Sequence, residues 1–314
     1  MNLICKQYET PDDYWRMREF FRALHIADPR PSGTWDVCTF DYWRWHTLEN
    51  VWERPPEELR YWETADGAIA AVLVYGDPGV CHPMADPEVA TEELLGEMLE
   101  RAESEFLWTL DDGRQVLFPW ADVGDGMLSA VLEARGCELH SGGHATQYHG
   151  WRSLQEAPTP TEIPEGYILR TMGDSDEHPL RSLASWRVFH SGEPDEGADL
   201  TGAWYGNVKR APTYRRDLDV VAVAEESGDI VAFSTCYFDD VARTGNIVLA
   251  GDARPHLQEK LERAVVVETL SRLHHLGAVG AYLSWFESEP GSIYESAGFE
   301  AQAVSRAWRK FSWG

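Results

Sequence analysis

The pattern of apolar and polar positions is clearest between residues 217 and 299. Two apolar runs, at residues 220–224 and 230–238, flank a short turn that contains Gly228. Runs rich in β-branched residues on either side of a short glycine-containing loop predict a β-hairpin. A third apolar run at residues 246–249 adds another strand.

Downstream of this hairpin the spacing of apolar residues changes. Leucine, alanine and valine recur every three or four residues from His256 to Leu276, which predicts a helix that ends before Gly277. A short strand at residues 279–283, a short helix and a final strand follow. The predicted order is β-β-β-α-β-α-β.

This order, together with a Tyr-x-x-x-Gly-Phe segment at Tyr294, Gly298 and Phe299, resembles the GNAT family of acyl-CoA-dependent N-acetyltransferases. The resemblance covers about the last third of the chain. It implies an α/β (α+β) fold, with a mixed, mostly antiparallel sheet flanked by helices. It also implies acetyl-CoA as the cofactor and a small amine as the acceptor.

The chain also contains an internal repeat at a spacing of 161 to 162 residues. The matched pairs are Gly67 with Gly228, Trp43 with Trp204, and Leu132 with Tyr294. The repeat predicts two tandem GNAT-like domains, at residues 1–152 and 167–314, joined by a proline-rich linker at residues 153–166. Because Leu132 stands opposite Tyr294, the second copy is predicted to be active and the first to be structural.

Several further elements follow from the pattern. In the first copy we expect a Trp-rich helix over residues 40–51, a helix over residues 126–134 and a strand over residues 137–148. In the second copy we expect helices over residues 176–189 and 200–209.

Acyl-CoA use needs a site for the pyrophosphate, which backbone N–H groups at a helix N-terminus supply. The resemblance places that loop at residues 258–263, with Gln258 in its first position. Leu261 and Arg263 stand where the family has small residues. Lys260 and Arg263 could supply positive charge, whereas Glu262 would repel phosphate.

The resemblance also assigns the remaining roles. Tyr294 is placed as the general acid that protonates the departing thiolate. The strand residues expected to contact the cofactor are Val248, Leu249 and Ala250. Val248 occupies the position where many members of the family carry a glutamate base. Asp252, His256 or a water molecule are therefore the alternatives for the proton acceptor.

A metal site is not predicted. Cys137, His140, His144 and His149 are close in sequence, but on one extended strand only His140 and His144 would share a face. The 14 tryptophans either fill the cores and the seam between copies or form an aromatic wall around the acceptor pocket.

Composition limits the partners. The formal net charge of -26 disfavours binding to nucleic acid or to anionic membranes, and it suits either simple solubility or a cationic amine substrate. The five dispersed cysteines and an N-terminus unlike a signal peptide predict a reduced, cytoplasmic protein. It is expected to be a monomer or a homodimer.

Two functions therefore remain open from the sequence. The first is acetyl-CoA-dependent acetylation of a small amine. The alternative is a degenerate GNAT-like protein that has lost acetyl-CoA binding and serves as a binding module or runs a different reaction in the same cleft.

Overall fold

The computed structural model describes residues 3–28, 33–52, 56–253, 260–288 and 291–313. Its strands are β1 (Ile4–Gln7), β2 (Arg60–Glu63), β3 (Ile69–Tyr75), β4 (Val80–Ala85), β5 (Trp108–Thr109), β6 (Arg114–Asp122), β7 (Glu138–Leu139), β8 (Thr146–Ser153), β9 (Tyr167–Thr171), β10 (Tyr214–Ala224), β11 (Ile230–Asp239), β12 (Thr244–Asp252), β13 (Gly280–Phe286) and β14 (Glu300–Trp313). Its α-helices are α1 (Pro11–Ala27), α2 (Val37–Tyr42), α3 (Glu92–Glu105), α4 (Gly126–Ala134), α5 (His178–Phe189), α6 (Ala203–Val208), α7 (Lys260–His275) and α8 (Ser292–Ser296). Within these ranges no helix combines the length and the hydropathy that crossing a bilayer requires.

One continuous sheet joins the two halves of the chain. Its order is β1-β2-β3-β4-β6-β14-β8-β13-β12-β11-β10-β9, with β5 beside β6 and β7 beside β14. Neighbouring strands are antiparallel except for β4 with β6 and β12 with β13. Each half thus has four antiparallel strands followed by a parallel neighbour, so the predicted repeat is present in the fold.

The last strand of each half lies in the other half's part of the sheet. β14 pairs with β6 of the first half, and β8 pairs with β13 of the second half. β8 and β14 also pair with each other at the centre. The division into residues 1–152, 153–166 and 167–314 remains a prediction, and these crossings show that the two halves share hydrogen-bonded strands.

Buried polar contacts also connect the halves. Asp41 of α2 is fully buried and accepts hydrogen bonds from Arg18 (2.6 and 2.9 Å) and Tyr14 (2.6 Å) of α1. Its second oxygen also accepts from Thr213 of the second half at 2.8 Å. A buried carboxylate is stable only when paired and hydrogen-bonded in this way. Asp41 therefore fixes α1 and α2 against the second half.

Some predicted elements differ in the structure. The Trp-rich helix is α2 followed by a π-helix at Trp43–Trp52, a difference in hydrogen bonding that a 3.6-residue pattern does not reveal. The single strand predicted over residues 137–148 is wrong. It is divided into β7 and β8 by a turn in which Gly143 adopts a φ of 48°, which glycine tolerates and most residues do not.

Other elements agree closely. The helix predicted over residues 126–134 is α4, and the hairpin around Gly228 is β10 and β11. The helix predicted from His256 is α7, whose described part begins at Lys260. Residues 254–259 lie outside the described ranges.

Candidate functional site

The two parallel strands of the second half part after three paired positions. β12 and β13 pair from Thr244 with Gly280 to Asn246 with Tyr282, and the register contains no later pair. Both strands continue beyond this point, β12 to Asp252 and β13 to Phe286. The sheet therefore opens between them.

A β-bulge lies at the start of this opening. Leu249 pairs with Thr235 and Ile247 pairs with Cys236, so Val248 is an extra residue without a partner on β11. A bulge re-aims the strand and leaves backbone groups unpaired on it, which is why bulges occur beside ligand sites. Here the bulged residue lies two positions beyond Asn246, the last β12 residue paired with β13.

The opening belongs to a cleft of about 2050 Å³ that both halves line. Its second-half wall includes Val248, Leu249 and Ala250 of β12, with Ser284 of β13. The three β12 residues predicted to contact the cofactor are thus together on one wall.

The first half supplies an aromatic wall to the same cleft. The rings of Trp35 and His82 lie 5.0 Å apart, and His82 stacks near Trp120 at 6.2 Å. The π-helix adds Trp43 and His46. Tryptophans therefore line this cleft, and Trp43 is also buried in the first core, so both expected roles of the tryptophans occur together.

Carboxylates dominate the charge of the cleft. Those that line it are Glu19, Asp28, Asp36, Asp77, Asp86 and Glu88. Among the described lining residues Arg16 is the one arginine or lysine, and it pairs with Glu63 at 2.6 Å. All six carboxylates belong to the first half, so that side of the cleft favours a cationic ligand over an anionic one.

Tyr294 also lines the cleft, and its hydroxyl donates a hydrogen bond to Glu262 Oε1 at 3.0 Å. Glu262 is in the first turn of α7 and is 8% exposed. The ring of Tyr294 lies 5.8 Å from that of Trp285, which fixes its orientation. The glutamate expected to repel phosphate is thus turned inward as a partner of the tyrosine.

The other predicted site residues occupy different positions. Arg263 donates to the side-chain and backbone oxygens of Ser296 (3.1 and 3.2 Å) and to Thr161, so it ties α7 to α8 and to the segment between β8 and β9. Lys260 begins α7 and is exposed. Asp252 ends β12 opposite Ala232, and it does not line the cleft as the described residues define it.

Two predicted residues, His256 and Gln258, lie outside the described residues. The cysteine and histidines considered as metal ligands were placed on one extended strand. Because that strand is divided into β7 and β8, the assumption that His140 and His144 share one strand face no longer applies. The described residues contain no group of three or more metal-ligating side chains.

The sequence did not indicate the role of His149. Its Nδ1 lies 2.9 Å from Ser284 Oγ and its Nε2 lies 2.8 Å from Ser305 Oγ. These three residues come from β8, β13 and β14, so their proximity depends on the exchange of strands between the halves. No local spacing in the sequence could have shown it.

Three imidazoles around the cleft are neutral at pH 7. Burial lowers the pKa of His46, His82 and His149 from 6.5 to about 4. Unfolding returns each group to its ordinary pKa, so between pH 6.5 and 4 the unfolded chain binds more protons than the folded one.

We therefore expect stability to be complete above pH 6.5 with respect to these groups and to fall as the pH drops towards 4. Each imidazole contributes on the order of 1–3 kcal/mol to that loss. Denaturant titrations at pH 7 and pH 4.5 measure it, and His82→Gln is expected to reduce the difference between them. The matched control His275→Gln changes an exposed imidazole. If His275→Gln reduced the difference in stability between the two pH values as much as His82→Gln does, the loss could not be assigned to the buried imidazoles.

Comparison with known proteins identifies the fold. No protein-family model and no curated protein sequence matches the chain. Among solved structures, a GCN5-related N-acetyltransferase from Sphaerobacter thermophilus is 15% identical, with a TM-score of 0.66 over 98% of this chain and 95% of the other. A tandem GNAT protein from the clavulanic acid biosynthesis pathway is 12% identical, with a TM-score of 0.66 over 99% and 98%.

A GNAT-family acetyltransferase from Colwellia psychrerythraea is 10% identical, with a TM-score of 0.56 over 99% of this chain and all of the other. These likenesses span both halves. The chain therefore has the tandem GNAT fold, as its repeat and its closing Tyr-x-x-x-Gly-Phe segment predicted.

Proposed function

We propose that the protein is an acyl-CoA-dependent N-acetyltransferase of a small cationic amine, and that the second half carries the reaction. The observation that supports this most directly is the opening between β12 and β13, with the bulge at Val248 on one side and Tyr294 at the same cleft. The fold it shares with solved N-acetyltransferases supports the same class of reaction.

The described residues fit one part of acetyl-CoA better than the other. The backbone of Val248 and Ala250 at the diverging strands suits the amide-rich pantetheine arm, which needs backbone hydrogen-bonding groups. At the phosphate end Lys260 would supply charge, whereas Arg263 is held by Ser296 and Thr161. When bound, acetyl-CoA supplies an activated acyl group as a thioester.

The protein's own side chains would then carry out the proton transfers. Tyr294 would donate a proton from the α8 side of the cleft, and Glu262 holds its hydroxyl in place. The carboxylates of the cleft would concentrate the cationic amine before it loses its proton. Trp35 and Trp120 would exclude water from the acceptor and provide ring faces for its charge.

A thiol-release assay tests the proposal. Wild-type protein is incubated with acetyl-CoA and a panel of mono-, di- and polyamines, and mass spectrometry identifies any acetylated amine. We expect amine-dependent release of thiol, weakened by high salt because the cleft attracts cations. Release that no amine accelerates would contradict the proposal.

One observation favours a second candidate, a binding module that does not use acetyl-CoA. Glu262 and Arg263, in the first turn of the helix that would face the pyrophosphate, are both engaged within the protein. If this candidate is correct, acetyl-CoA will not raise the Tm of the wild type, whereas Glu262→Gln will respond to it. A ligand at about 100 times its Kd stabilises by about 2.7 kcal/mol, so the difference is measurable.

A further inference from the structure

His149 connects two serine hydroxyls of different exposure. Ser284 is the cross-strand partner of His149 on β13 and is exposed in the cleft. Ser305 on β14 is only 4% exposed. The imidazole therefore joins a hydroxyl that a ligand can reach to one that solvent does not reach.

Ser284 stands where the sheet opens. The last parallel pair is Asn246 with Tyr282. Two residues further along each strand are Val248 on β12 and Ser284 on β13, and both line the cleft. The two therefore lie on either side of the opening. Valine cannot accept a proton, whereas a serine hydroxyl bonded to an imidazole can.

Ser284 and Tyr294 approach the opening from opposite faces of β13. Successive side chains on a strand point to opposite faces. Trp285 packs against the ring of Tyr294, so its neighbour Ser284 faces the other way. The proton donor Tyr294 thus lies on one side of β13, and the hydroxyl of Ser284, which is bonded to His149, lies on the other side.

The imidazole of His149 is neutral at pH 7. Burial lowers the pKa of His149 to about 4, so at pH 7 one ring nitrogen donates and the other accepts. The titratable groups that face it are Asp122 on β6, Asp125 before α4 and His82 on β4. Asp122 is held by backbone N–H groups of Gly33 and Gly124 (2.9 and 2.6 Å), and its charge favours the protonated imidazole.

We propose that Ser284 is the group that takes the proton from the acceptor amine, and that His149 acts through it as the final proton acceptor. The inference rests on the proposed acetyl transfer. As the N–C bond forms and the C–S bond breaks, the amine proton passes to Ser284 Oγ. The serine proton passes to His149 Nδ1, and the departing sulfur takes its proton from Tyr294. Ser284 is not acylated, and between turnovers solvent removes the proton from His149 and returns one to Tyr294.

The first test needs neither cofactor nor substrate. The relay requires that His149 Nδ1 accepts from Ser284 while Nε2–H donates to Ser305. Nitrogen-15 NMR of histidine-labelled protein at pH 7 is expected to show the neutral Nε2–H tautomer, and Ser284→Ala is expected to shift the Nδ1 resonance. A neutral Nδ1–H tautomer or a charged ring would overturn the proposal.

The second test uses a matched pair of serine–histidine contacts. Ser288 also bonds to a histidine, His144, at 2.9 Å, but in an exposed turn after β13. We expect Ser284→Ala to lower kcat about 10²-fold or more, to leave the KM for acetyl-CoA unchanged and to remove the acidic limb of the kcat/KM–pH profile. His149→Gln is expected to do the same. Ser288→Ala is expected to remain within about threefold of the wild type.

The outcomes separate this inference from the proposed function. A wild type that releases no thiol with any amine contradicts both. A wild type that acetylates an amine, with Ser284→Ala equally active, overturns only the relay.

Discussion

Tyr294→Phe is expected to lower the turnover of amine acetylation by about 10²–10³-fold, the range for loss of a positioned general acid. The ring and its contact with Trp285 remain, and only the hydroxyl that donates to Glu262 is lost. The affinity for acetyl-CoA, measured by calorimetry, is expected to stay within about threefold of the wild type. The rate is measured by thiol release under saturating substrates.

Tyr148 provides the control, because its ring also lies 5.8 Å from that of Trp285 but it does not line the cleft. Tyr148→Phe is expected to keep full activity. Equal rates for Tyr294→Phe and the wild type would show that Tyr294 packs against Trp285 and has no part in proton transfer.

Asp41→Asn is expected to lower the free energy of unfolding by about 3–5 kcal/mol, because it leaves the guanidinium of Arg18 buried without a counter-charge. Arg18 is 4% exposed, and both of its bonds to Asp41 would lose their charged acceptor. Urea denaturation followed by circular dichroism and by tryptophan fluorescence measures the change. The midpoints of unfolding recorded by the two probes should shift together, since Asp41 also bonds to Thr213 of the other half.

The matched control is Asp217→Asn. Asp217 pairs with Arg215 at 2.7 Å, but these side chains are 52% and 40% exposed. Such a surface pair contributes less than about 1 kcal/mol. If Asp41→Asn changed stability as little as this control, the buried cluster would not be what fixes α1 and α2. Thr213→Val removes one hydrogen bond to Asp41 and is expected to lower the free energy of unfolding by about 1 kcal/mol. It provides a second measurement if Asp41→Asn does not fold.

Local patterns were sufficient for many of the elements. The hairpin around Gly228 and the helix at residues 126–134 follow from turn chemistry and apolar spacing, which act within a few residues. Val248 to Ala250 were predicted at the cofactor site from the resemblance to the GNAT family, and all three line the cleft.

What the sequence could not reveal depends on long-range pairing. That β8 joins β13 and β14 joins β6 is decided by the competition between strand partners across the whole sheet, and no local pattern records it. His149 and Ser284 are in contact only because of that exchange. The inward turn of Glu262 was missed for the same reason, since it depends on Tyr294 in a different helix.

The proposed site for acyl-CoA is the opening between β12 and β13. The most direct measurement is a calorimetric titration of acetyl-CoA into wild-type protein and into Ala250→Trp, which fills the opening, with exposed Ala301→Trp on β14 as the control. We expect saturable binding to the wild type and to Ala301→Trp, and none to Ala250→Trp. No binding to the wild type, or equal binding to Ala250→Trp, would contradict the proposed site.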